Sequence, residues 1–175
     1  SGDLTADEIV LKELPLECLD MNSVAAYRNY LASVRPGHRL LKTENEEFLE
    51  IINAAENIGG VWHPTAAGLL MFGKEHCIAK EFSSYRLDYR ETFENKKWDY
   101  RICSWSADWS GNVFDFFMEV SNRMVLAIGN RFELNGMVRV DISEATECAR
   151  EALVNALVNA DYYGKQGVEV IFDGK

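Results

Sequence analysis

Between Gly111 and Asn130 the apolar residues Val113, Phe116, Phe117, Val120, Met124, Ala127 and Ile128 recur every three or four positions. That spacing sets them on one face of an α-helix and leaves the polar residues between them to solvent. A shorter run of the same kind follows Pro15, with Val24, Tyr27, Leu31 and Val34 stopped by Pro36-Gly37. Asp20 or Asn22 is placed to cap its start. Thr43, with Glu46 three residues on, has the form of a capping box ahead of Phe48, Ile52 and Ala55, so a second helix is expected there, its approach ended by Gly59-Gly60. Val61-Trp62-His63 precedes a proline and should be extended. Pro64-Thr65 then opens a short helix ending at Gly73. That helix carries Ala66, Ala67, Leu69, Leu70, Met71 and Phe72, so it must be buried on most sides.

The period shortens to two after that. Tyr85, Leu87 and Tyr89 alternate with Arg86, Asp88 and Arg90, and the stretch from Tyr100 to Trp105 is again β-prone, which predicts a hairpin around Asn95 with one polar face. Met137–Val140 reads as a short strand, and Ser143 as the cap of a last long helix reaching about Tyr162. Gly164 lets the chain turn into a final strand marked by Val168, Val170 and Phe172. The whole predicts an α+β chain: a mixed sheet with a central hairpin, packed by several helices, ending in a helix and a strand.

Composition changes this picture mainly by exclusion. The 175 residues suffice for one core, or a main domain with an appendage, and 47% hydrophobic with 26% charged residues is ordinary globular usage. No run approaches the roughly 20 apolar residues of a membrane helix, and no secretory leader is visible. Cys18, Cys77, Cys103 and Cys148 are scattered without a C-x-x-C pair and read as small buried residues of a reduced compartment, so a cytoplasmic location is expected. His63 and His76 have no partner at catalytic spacing and read as structural, and no zinc site is legible.

A formal charge of −10 opposes a nucleic acid backbone, so no direct nucleic acid binding by these residues is expected. The basic run Arg86, Arg90, Lys96, Lys97 and Arg101 is interleaved with Asp88, Glu91, Glu94 and Asp99, which describes a mixed solvated face. In that acidic setting Trp98, Tyr100, Trp105 and Trp109 suggest core or a protein interface. Ser1-Gly2 reads as a cloning remnant, and the acidic start to Glu13 as the tail of a preceding segment.

One stretch carries candidate chemistry. In Arg150–Tyr162, Glu151, Asn155 and Asn159 stand four residues apart and form a polar row on a helix otherwise rich in Ala, Leu and Val. From periodicity alone the row reads most simply as a solvent face. Glu-x-x-x-Asn-Ala, however, resembles the N box of the GHKL ATPases, in which the asparagine ligates a magnesium bridging the nucleotide phosphates and the glutamate polarises the attacking water. The resemblance implies Asn155 as the metal ligand and Glu151 as the catalytic base, with Asn159 as a further nucleotide contact. A side-chain amide oxygen suits magnesium, and a carboxylate one turn away can reach an attacking water.

A longer match runs from Pro64-Thr65-Ala66-Ala67-Gly68-Leu69-Leu70-Met71-Phe72-Gly73-Lys74, through Arg150–Val158 and Asp161-Tyr162, to Val170-Ile171-Phe172-Asp173. It resembles a bacterial and archaeal family of transcriptional regulators with an N-terminal Schlafen-type AlbA DNA-binding domain and a C-terminal RecG-like, GHKL-type ATP-binding segment. The resemblance implies residues 1–15 as a linker remnant, 16–140 as a connecting module and 141–175 as the truncated start of the ATP-binding segment. It implies DNA as a partner through an N-terminal domain outside this chain, and ATP with Mg2+ as ligands of the longer protein, with none bound to the fragment. The chain departs from the family at Asn159-Ala160, where members commonly carry a histidine and a basic residue, and the glycine-rich second box is expected after Lys175. No P-loop is present and Gly73 is explained as a helix cap, so helicase activity is not expected. Nor is ATPase activity from the fragment. Two further readings stay open: a protein-interaction or homo-oligomerising module without nucleotide, and part of a true ATPase completed beyond residue 175.

Overall fold

Gly59 and Gly60 sit at φ 60° and 89°, conformations that a two-residue hairpin turn requires and that glycine adopts without strain. They join β1 (Ala55–Ile58) to β2 (Val61–Pro64) as an antiparallel pair with Ile58 opposite Val61. The glycine pair expected to close a helical approach thus makes a hairpin, and Ala55 is its first strand residue. The computed structural model that shows this describes residues 9–92, 100–134, 136 and 138–173. Outside them fall Ser1-Gly2, Glu94, Asn95, Lys96, Lys97, Trp98, Asp99 and Met137, on which parts of the sequence reading rested. Backbone contacts divide the chain into two compact units, residues 1–83 with 107–115 and residues 84–106 with 116–175.

In the first unit α1 (Met21–Val34) starts where Asp20 accepts a hydrogen bond from Asn22 N at 2.9 Å. Val24 is fully buried, and Tyr27 meets Phe48, Phe72 and Phe114 edge-on at 6.0, 5.4 and 5.2 Å. Such ring pairs contribute about 0.5–1.5 kcal/mol each beyond their area. Val34, expected on the buried stripe, is 55% exposed because it lies in the last turn.

The expected capping box does not form. The Thr43 hydroxyl donates to Leu40 O at 2.6 Å, closing the short 3-10 turn Arg39–Lys42, and α2 (Asn45–Ile51) starts after Glu44 with no side-chain cap. α3 (Ala66–Phe72) starts as expected, with Thr65 Oγ1 accepting from Gly68 N at 3.0 Å, and ends at Gly73. Gly68 is needed for packing: a Cβ there would lie 1.8 Å from Ala54 O. α4 (Glu75–Glu81) follows, unforeseen, and buries only Cys77 and Ile78. Asn112 ties this unit together, donating to Gly73 O at 3.1 Å and Ser23 Oγ at 2.9 Å while its own oxygen caps Asp115 N at 2.8 Å.

In the second unit β3 (Leu87–Glu91) is the middle of a three-stranded mixed sheet. β4 (Tyr100–Cys103) pairs with it antiparallel, as the predicted hairpin requires, and β5 (Val168–Phe172) pairs on the other side in parallel, Leu87 opposite Val168. A parallel return needs a long crossover. Here α5 (Val113–Leu134) and α6 (Arg139–Val158) lie between the paired strands in sequence.

The strand expected at Met137–Val140 does not form in its described part, 138–140: Arg139 and Val140 open α6, and Ser143 lies inside the helix rather than capping it. Two valines in four residues are too short a β signal to outweigh the helix-forming run that follows, with Asp141 favourably placed in the first turn. α6 ends at Val158, short of Tyr162, whose hydroxyl turns back to donate to Leu157 O at 2.6 Å. The fold is therefore α+β, with helices beside two small sheets. Among the described residues no helix is long and apolar enough to cross a membrane.

Candidate functional site

α6 forms because Ala145, Ala149, Ala152 and Ala156 are strong helix formers spaced along it. Leu153 and Leu157 are its buried residues, and Asn159 closes it with its N–H on Asn155 O at 3.0 Å. Glu151, Asn155 and Asn159 are all exposed, stacked on successive turns. None of the three side chains has a hydrogen bond or ion pair among the described residues, so the carboxylate and both amides are free to meet a ligand from solvent.

A groove of about 590 Å³ lies in the same unit, lined by the alanine side of α6 with Cys148 and Leu153, by Met124 and Ile128 of α5, and by Glu169–Phe172 of β5. The polar row does not line it. At 100° per residue Glu151 lies about 130° and Asn155 about 90° around α6 from the alanine midline. The structure therefore brings the three predicted residues together with one another but not with the groove. Sequence reading missed the groove, although small residues at 145, 149, 152 and 156 signalled it.

As a magnesium site the row supplies two hard oxygen donors, the Asn155 amide and the Glu151 carboxylate. Magnesium commonly takes one or two protein ligands and completes its shell with water and phosphate oxygens, so the donor set fits one wall of such a site. No group of three or more His, Cys, Asp or Glu residues suited to a metal occurs among the described residues.

The buried carboxylates of this unit are committed. Glu91, fully buried, accepts from Arg123 Nε at 2.7 Å and Arg123 Nη2 at 2.8 Å, and from the Tyr89 hydroxyl at 2.9 Å. Burial, with the hydrogen bond to Glu91, pushes the Tyr89 phenol well above its ordinary range. Asp88 holds Arg101 through two bonds of 3.0 Å and Arg90 at 3.5 Å, and Arg90 also pairs with Glu169. Arg90 and Arg101 of the basic run are thus paired locally, and Asp88 and Glu91, expected on a solvated face, are buried. Arg86 and Arg101 stack on Trp105 at 3.7 and 5.2 Å, which accounts for that tryptophan without a nucleobase.

In the first unit His63 Nδ1 bonds to Leu14 O at 2.9 Å and His38 Nδ1 accepts from Leu40 N, both structural roles, while His76 is exposed. Of the cysteines, Cys18 and Cys77 are buried as expected, but Cys103 is half-buried and Cys148, at the groove, is exposed.

No curated protein and no solved structure matches the chain. A family described as a domain of unknown function (DUF8451) matches residues 1–88, which covers β1, β2 and α1 to α4 and stops before α6. With that match spanning half of its 175 residues, the chain belongs to the DUF8451 family.

Proposed function

We propose that this chain is the connecting module of a regulator with a DNA-binding head and a nucleotide-binding tail, and that α6 presents the first wall of the tail's ATP site. The observation that carries the reading is the free, solvent-facing row of Glu151, Asn155 and Asn159, in the helix-then-strand order of the N-box resemblance. Asn155 holds Mg2+ in this reading and Asn159 lies toward the phosphates. The metal supplies charge neutralisation of the phosphates when bound. Glu151 orients water beside them and serves as base only where later segments complete the site. Nucleotide bound at α6 favours one of two arrangements of head and tail and so regulates DNA engagement, by the difference in its affinity for the two. ATP turnover by the 175-residue chain and helicase activity form no part of the proposal.

Calorimetry with ATP and Mg2+ on the intact protein tests it. Wild type should bind, and Asn155→Ala should bind at least about tenfold more weakly, a loss of roughly 1.4 kcal/mol. Equal binding in both removes Asn155 from the site.

A second reading, a protein-interaction module without nucleotide, is favoured by the apolar groove at the α6–β5 side of the sheet.

A further inference from the structure

β5 is the outer strand of its sheet, and among the described residues no strand pairs with its far edge. Its inner edge is fixed by Val168 N–H donating to Arg86 O at 2.8 Å and Thr92 N–H donating to Phe172 O at 2.9 Å. In a parallel ladder, residues that bond to one neighbour alternate with residues whose backbone faces the other way. Val168, Val170 and Phe172 therefore spend their backbone groups on β3. The N–H and C=O of Glu169 and of Ile171 point outward, four groups on an open edge.

The same alternation sorts the side chains. Val168, Val170 and Phe172 stand in register with Leu87, Tyr89 and Glu91, all buried, and Val170 and Phe172 line the groove beneath the α6 alanines. Glu169 and Ile171 project to the opposite face, where Ile171 is 55% exposed. The edge thus offers hydrogen-bonding groups and, beside them on one face, an apolar space that alanines leave unfilled. Those are the two needs of an added strand: backbone partners for its chain and room for alternate side chains.

We propose that the occupant is β5 of a second copy of this chain, antiparallel, about a two-fold axis through Val170. In that register Glu169 faces Ile171 of the partner subunit and exchanges both hydrogen bonds with it. The symmetry operation repeats this on the other side of the axis, so all four outward groups are satisfied. Val170 and Phe172, which line the groove, face Val170 of the partner subunit and Val168 of the partner subunit, so two valines are set beside the space left by the alanines.

Charge agrees with this register despite the net −10. Each Glu169 is already paired with its own Arg90, and across the axis it meets an isoleucine rather than a carboxylate. No like charges stand directly opposite. A five-residue strand, about 17 Å long, makes a contact at the small end of specific interfaces, so the pairing is reversible at micromolar concentration. This inference does not depend on the nucleotide reading.

Sedimentation of the 175-residue chain from roughly 1 to 500 µM tests it. The mass should rise from 19.9 kDa toward twice that, and the amides of Glu169 and Ile171 should gain protection from hydrogen exchange over the same range. Two substitutions at the exposed Ile171 then read the register. Ile171→Glu sets a carboxylate across from Glu169 and should weaken association at least about tenfold, whereas Ile171→Lys sets an ammonium there and should leave it within about threefold of wild type. A single 19.9 kDa species throughout overturns the proposal, whether or not another ligand protects the edge amides. So does an equal response to Glu and Lys, which would mean a contact without this register.

Discussion

Replacing Arg123 by methionine keeps the length of the side chain and removes its charge, leaving Glu91 as a fully buried carboxylate with one remaining donor, the Tyr89 hydroxyl. In the wild type that carboxylate receives three hydrogen bonds between 2.7 and 2.9 Å, two of them from Arg123. Removing one partner of a buried pair costs about 3–5 kcal/mol, because the other charge stays out of water without compensation. The Arg123 side chain is 32% exposed, so water can reach part of the vacated space and the lower end applies, about 3 kcal/mol.

With a urea slope of about 2 kcal/mol/M, the unfolding midpoint should fall by about 1.5 M. Glu91→Met in the same chain removes the stranded charge but leaves the Tyr89 hydroxyl without an acceptor, so a deficit of about 1–2 kcal/mol should remain. Adding Tyr89→Phe should recover most of that deficit. Arg123→Met within about 0.5 kcal/mol of wild type would refute the reasoning, since a buried carboxylate cannot lose two charge-assisted bonds so cheaply.

Gly68→Ala should destabilise by about 3 kcal/mol in the same assay, because its methyl would meet Ala54 O on the backbone, which cannot swing aside. Stability should hold up to about pH 9 and fall above it, because burial raises the pKa of Cys18 from the ordinary 9.0 and of Tyr89 and Tyr162 from 10.0, and the unfolded chain loses those protons first. Tyr162→Phe should flatten that alkaline fall by up to about 1.4 kcal/mol per pH unit, measured by thermal melts across pH 9 to 11, at a neutral-pH cost of about 1 kcal/mol for the lost bond to Leu157 O. Iodoacetamide labelling of the native protein at pH 8 should modify Cys148 and spare Cys18 and Cys77, which should react only after unfolding, since burial and the neighbouring Cys77 thiol push Cys18 up to about 11.

The elements that sequence rendered correctly are those whose signal is local and repeated. α5 carries about four turns of apolar spacing, α3 has a capping threonine and a terminal glycine, and β3 with β4 was β-prone over enough residues to show the pair, although Asp88 on the expected polar face is buried. The errors fall where one local cue competed with a neighbour. Thr43 had the spacing of a capping box but spent its hydroxyl on Leu40, and Val138 and Val140 promised a strand that the alanine-rich run after them overrode. Ala55 and Gly59-Gly60 were ambiguous because a four-residue strand carries almost no periodicity.

The parallel pairing of β5 with β3 spans about 80 residues of sequence, and nothing local encodes it. The polar row of the candidate site was legible because four-residue spacing survives on any helix. Its separation from the groove was not, because that depends on which side of α6 faces the sheet. The long motif that carries the family resemblance lies half inside and half beyond residues 1–88, so the α6 row rests on geometry and resemblance rather than on the family match.

The central claim, that Glu151 and Asn155 face a metal–nucleotide ligand, is tested most directly by adding Mn2+ and ATP to the intact protein and following the side-chain amide signals of its asparagines by NMR. A paramagnetic ion held at Asn155 should broaden the Asn155 and Asn159 side-chain signals first, and Asn155→Ala should abolish the broadening at Asn159. Broadening confined to signals away from α6, or none while ATP is bound, would contradict the account.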